Sequence, residues 1–327
     1  MEIGEVVAVP VPETSAPDEK ALRVTFGKHS GRCGDEIDLW AATDNIEDGA
    51  SVSLKVMQSG SAVLTQDASL HAGSANHPWV SQAKGSDKSS EPPFDLQGSA
   101  SGLTATDAEQ LVLERYADRS TSTQTFPCRS GPYQWTGKFD IALKSGEVIV
   151  TTRIKLVNYL GTKPASAADP LPQVGPAVEA DFKAEAKADI EEKLSRKHFL
   201  HRQRCKRAND CSCPRDRACC AINVRVVVEF VESNEQHLVS LFQGSGRANA
   251  AQWTRVKTRA NSWAHETGHL LGWYDEYASG AVGAPPRWKV QGGVVMDVGT
   301  EVPHEYYWDF RDWLAAITGE PWDVVKI

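Results

Sequence analysis

The run Ser262-Trp263-Ala264-His265-Glu266-Thr267-Gly268-His269-Leu270-Leu271-Gly272-Trp273-Tyr274-Asp275 decides how the C-terminal half of this chain reads. His265 and His269 stand four residues apart. On a helix of about 3.6 residues per turn they share one face, about 6 Å apart along the axis, so both imidazoles can reach a single metal ion. Glu266 lies between them in sequence and points slightly aside. It can take a proton from a water on that metal without being a ligand. Gly268 allows close packing behind the site. Gly272 can adopt φ > 0 and end the helix abruptly, and the chain then turns to bring Asp275 round to the metal. Zinc suits such a set, because it accepts nitrogen and oxygen ligands tetrahedrally and three protein ligands leave one position for water. The spacing predicts a helix over 258–271. The predicted metal ligands are His265, His269 and Asp275, with Glu266 as general base. Glu276 follows Asp275 directly and is an alternative third ligand, as are Glu301, His304 and Glu305 further on.

Working outward, Val178, Phe182, Ala186, Ile190 and Leu194 recur every fourth residue, with charged residues on the other faces. This predicts one long amphipathic helix over 178–202. A buried strand is expected at 222–231 and another at 237–243, whose free edge could align an extended peptide. A last helix is expected over 302–317. Residues 161–175 contain three prolines and read as a linker. From about 20 to 160 the chain reads as β. Short alternating segments are separated by turn signals such as Asp48-Gly49 and Ser59-Gly60, and Lys144-Ser145-Gly146 marks a hairpin. Residues 81–102 are expected to be a loop and 106–118 a short helix. The expected class is α+β: an immunoglobulin-like β-sandwich over 1–160, a linker over 161–175, and a catalytic domain over 176–327.

The 327 residues suffice for two domains. A net charge of −8 argues against a nucleic-acid binder, which needs a basic surplus to neutralise phosphate. No apolar run reaches the ~20 residues of a membrane span. The first twenty residues lack the basic and apolar regions of a secretory leader. Five of the seven cysteines (Cys205, Cys211, Cys213, Cys219 and Cys220) cluster, and Cys33 and Cys128 stand apart. Their spacing does not match paired zinc knuckles, so disulfides stapling the loop are expected, with Cys33–Cys128 a possible closure of the β region.

The extended pattern from His265 to Asp275 resembles the metzincin clan of zinc peptidases, in particular its snapalysin-type members, which carry Asp where most have His. The resemblance covers about residues 176–320. It implies a zincin-like α/β core and a methionine turn beneath the metal, for which Val294-Val295-Met296-Asp297 is the counterpart. It also implies a donor to the developing oxyanion after that turn, with His304, Tyr306 and Tyr307 as candidates. Plain packing is the alternative for the two tyrosines. More narrowly, Cys219-Cys220, HETGHLLGWYDEY and VVMDVGTEVPHEYYWDF look like metallopeptidase domains of bacterial type VI secretion effectors. That resemblance implies an injected toxin acting in a target cell's periplasm, with a secretion-spike partner and an immunity protein. The expected activity is hydrolysis of protein substrates. Hydrolysis of peptidoglycan peptides and a binding module with a vestigial zinc site are the alternatives.

Overall fold

The computed structural model describes residues 19–82, 92–158 and 176–327, apart from isolated positions between 208 and 289. The expected linker, 161–175, lies outside the described residues. The fold is mixed α+β and dominated by strands. Contacts divide the chain into two units. One holds the described residues of 1–115 with 204–214, and the other holds 116–203 with 215–327.

The first unit is built from β1 (Ala21–Phe26), β2 (Ser30–Arg32), β3 (Glu36–Asp44), β4 (Ser51–Gln58), β5 (Ser61–Ser69), β6 (Ser74–Val80), β7 (Phe94–Ala100), β8 (Leu103–Thr106) and β9 (Val112–Glu114). Two antiparallel sheets form, in the orders β1-β3-β6 and β5-β4-β7-β8, and β2 pairs with β9. Alternate residues of β3 and β4 are buried, as period-2 patterning requires. Two expectations fail here. The segment read as a loop contains β7, whose Gly98 is needed because Val24 occupies the place a Cβ would fill. No helix forms over 106–118: Leu111 bridges Phe94, and β9 is recruited by β2. Long-range pairing overrides local propensity in both places.

The second unit holds β10 (Arg119–Ser130), β11 (Tyr133–Lys144), β12 (Glu147–Asn158), α1 (Pro176–Leu194), β13 (His198–Arg202), β14 (Ala221–Phe230), β15 (His237–Phe242), β16 (Gln252–Thr254), α2 (Ser262–Leu270), α3 (Trp308–Thr318) and β17 (Trp322–Lys326). Its sheet runs β10-β11-β12-β14-β13-β17, with β15 paired to β12 and β16 to β15. The boundary expected near 160 is therefore displaced. Residues 119–158 share a sheet with the C-terminal strands, because β12 pairs in parallel with β14 from Val148 to Ile154. The β11–β12 hairpin turns through Ser145 and Gly146, both at positive φ, as a type I′ turn demands.

Phe182, Ala186, Ile190 and Leu194 of α1 are all fully buried, and Phe182 meets Trp263 of α2 edge-on at 5.1 Å. The helix expected to reach 202 stops at Leu194. Arg196 turns at φ 53 and its N–H goes to Val224 O, while Ser195 Oγ bonds the backbone of Val226. The chain then enters the sheet as β13. Nor is β15 a free edge, since Ser240–Phe242 pair with β16. The last helix is shorter than expected: a 3-10 turn, His304–Tyr307, precedes α3. Among the described residues no disulfide is formed, and the Cys128 thiol lies 3.7 Å from Gly272 O. No helix of the described residues is long and apolar enough to cross a membrane.

Candidate metal centre

Helix α2 is short, and tertiary contacts fix both its ends. At its start the buried Asn261 sends Nδ2 to Val295 O at 2.9 Å. His265 Nδ1 donates to that same carbonyl, also at 2.9 Å. At its end Gly272 takes φ 87, and Trp273 N–H returns to Gly268 O. This reversal satisfies carbonyls that the last helical turn would leave bare. It also presents Trp273 O to His269 Nδ1, 2.9 Å away.

These two hydrogen bonds set the chemistry of the pair. A carbonyl can only accept, so each Nδ1 carries a proton and each ring is left to meet any further partner through Nε2. Both Nε2 atoms face the same oxygen: Asp275 Oδ1 is 3.1 Å from His265 Nε2 and 3.3 Å from His269 Nε2. The rings lie 5.0 Å apart, nearly perpendicular. Burial alone would raise the Asp275 carboxyl, but the two imidazoles outweigh it and hold the group well below the usual carboxylate range. The Glu266 carboxylate and both imidazoles have ligand atoms within 4.8 Å of one another, a cluster that could hold a metal ion. Asp275, rather than Glu266, makes the direct contact with both rings. Glu266 is 6% exposed, and its Oε2 has no hydrogen-bond partner. Burial pushes its carboxyl up to about 7, opposed by His265 and Arg247 and reinforced by Asp275.

The donor set fits zinc: two imidazole nitrogens with fixed tautomers, one carboxylate oxygen, and outer hydrogen bonds that orient the rings. The packing beneath is tight. A Cβ on Gly268 would overlap Met296 Sδ, so the fully buried Met296 sits directly under the motif helix. Glu276 N–H donates to Met296 O at 3.0 Å, tying the turn after Gly272 to the methionine segment. On another side Gly137 of β11 lies against Gly272 so closely that a Cβ would meet its backbone. Trp135 places its ring edge-on to His269 at 5.3 Å. It also lines a cavity of about 390 Å³ together with Cys128, Arg129 and Gln134.

The other sequence candidates fall elsewhere. Glu276 is 3% exposed and lies by Tyr306. Glu301 pairs with Lys326 at 3.2 Å, and His304 Nδ1 lies 3.3 Å from Glu305. Tyr306 is fully buried, with ring contacts to Trp273 and Trp288, and burial and the neighbouring Glu276 drive its hydroxyl pKa upward. Tyr307 Oη donates to Leu194 O. Among the described residues, the contacts of His304, Tyr306 and Tyr307 run to Glu305, Trp308, Trp273, Trp288, Leu194, His198 and Phe310, and none joins them to the His265–His269–Asp275 set. Packing is what the structure gives the two tyrosines.

One side chain that sequence reasoning passed over reaches the site. Tyr277 Oη donates to Asp275 Oδ2 at 2.8 Å, which leaves Oδ1 for the imidazole side. Burial and then Asp275 raise the Tyr277 hydroxyl to about 12. No periodic signal marks it in the sequence, where it stands two residues beyond the predicted ligand Asp275. No protein-family model matches the chain, and no curated protein matches it.

Proposed function

We propose that this chain is a zinc-dependent endopeptidase whose site is His265, His269 and Asp275, with Glu266 as general base. The observation that carries the reading is the convergence of two Nε2 atoms on Asp275 Oδ1 while both Nδ1 atoms are committed to backbone carbonyls. A structural zinc site would use a closed Cys/His set. This one has three ligands and a buried carboxylate with an unpartnered oxygen beside them. The immunoglobulin-like reading of the first unit and the metzincin-like reading of the second belong to the same proposal. Met296 under the motif helix and the backing of α2 by α1 support the second.

Zinc bound to these residues supplies Lewis acidity toward a carbonyl oxygen and acidifies a water. The protein's part is proton traffic and orientation. Glu266 Oε2 accepts the proton of the attacking water and delivers it to the leaving amine. A raised pKa suits a group that must both take and return a proton near neutrality. Tyr277 fixes the rotamer of Asp275, and Val295 O and Trp273 O fix those of the histidines. The test is cleavage of unfolded casein by the zinc-loaded chain and by Glu266→Ala. We expect a loss of at least about 100-fold with zinc content retained. Equal cleavage by both proteins would refute the assignment. Parallel digestion of purified sacculi separates protein from peptidoglycan substrates.

A further inference from the structure

Arg247 has no part in the set described so far. It lies in the loop after β15 with its side chain exposed, and its Nη2 donates to Tyr277 Oη at 3.3 Å. Tyr277 in turn holds Asp275. Arg247 is therefore joined to Asp275, the proposed third ligand, through a single phenol. Three nearby basic residues in the sequence of this unit are neutralised at short range: Arg287 grips Asp309 with two hydrogen bonds of 2.9 Å, Arg255 meets Glu185 and Lys257 meets Asp189. Among the described residues no carboxylate stands within ion-pair distance of Arg247. Toward the described residues one of its five N–H donors is used, and a guanidinium's remaining donors form a planar fork matched to a carboxylate.

We propose that Arg247 is a specificity-determining residue that binds a substrate carboxylate, so that the site prefers an aspartate or glutamate side chain beside the scissile bond. This inference rests on the peptidase reading above. The phenol it touches faces the third ligand, so an acidic side chain held there lies next to the reacting atoms. A substrate glutamine cannot accept both arms of the fork with a full charge, and a substrate lysine is repelled. If Arg247 only steadied Tyr277, its loss would slow all substrates alike.

The experiment uses the zinc-loaded full chain and matched fluorogenic peptides in which Glu, Gln or Lys is walked through the positions flanking the cleaved bond. The wild-type chain should prefer Glu over Gln at one position by about tenfold in kcat/KM, mainly through KM. The preference should shrink as salt is added. Arg247→Glu should reverse the order in favour of Lys, and Arg247→Lys should keep the order at a lower ratio. Binding of the same peptides to zinc-loaded Glu266→Ala should show the same ranking without turnover. Equal Glu and Gln values at every position, or an equal fall for all peptides in Arg247→Glu, overturns the inference and leaves the peptidase reading standing. Failure of the wild-type chain to cleave any peptide, with zinc bound, overturns both.

Discussion

At the residue scale, the site depends on which atom of each side chain is already engaged. His265 and His269 have each committed Nδ1, and Asp275 has committed Oδ2, so one atom of each remains and the three converge. Replacing Asp275 by Asn should therefore weaken zinc binding by more than about 100-fold, since loss of even an outer-shell partner costs roughly 10–100-fold. Tyr277→Phe should fall within that smaller range. Competition with a chromophoric chelator measures both. If Asp275→Asn kept wild-type affinity while Glu276→Gln lost it, the ligand assignment would be wrong. The sequence made His265, Glu266, His269 and Asp275 legible because helical spacing and a glycine stop are local properties. Tyr277 and Arg247 were not legible, because nothing periodic distinguishes a phenol or guanidinium that a turn folds back onto the site.

At the element scale, α2 was legible in type, but its neighbours were not. Its lock against β11 is a backbone-to-backbone approach of Gly137 and Gly272 that no sequence pattern announces. Gly137→Ala should therefore cost about 1–3 kcal/mol by overpacking, read as a lower Tm. A Tm equal to wild type would show that this approach is not needed. The end of α1 was misread for a similar reason. His198–Arg202 has the polarity of a helix end, yet it pairs with β14 and β17. His198 there is 3% exposed, and burial lowers its pKa even though its Nε2 donates to Val302 O at 2.6 Å. The folded state keeps this ring neutral, whereas the unfolded chain protonates it near pH 6.5. The unfolded state thus binds more protons as pH falls, and this group's contribution to stability is complete above about 6.5 and lost below it. Thermal melts should show Tm falling from pH 7.5 to 5.5, with a smaller fall in His198→Gln. Parallel curves for the two proteins would remove His198 from the acid response.

At the scale of the whole molecule, the sequence showed a β-rich N-terminal half and a motif-bearing C-terminal half but misplaced their boundary. Strands β10 to β12 read locally like more of the same β region. The parallel pairing of β12 with β14 and β15 assigns them to the unit that carries α2, and pairing over such a sequence separation leaves no local trace. Their contribution is concrete: β11 supplies Gly137 against the helix stop and Trp135 against His269. The unit is thus a sheet and three helices arranged so that α2, its stop and the Met296 turn meet at one point. The most direct test of that arrangement is zinc K-edge X-ray absorption on the purified chain at one equivalent of zinc. The predicted first shell has two imidazole nitrogens near 2.0–2.1 Å and light oxygen ligands, and it loses one imidazole in His269→Ala. A sulfur-containing shell unaffected by that substitution, or a chain that takes up no zinc, would contradict the account.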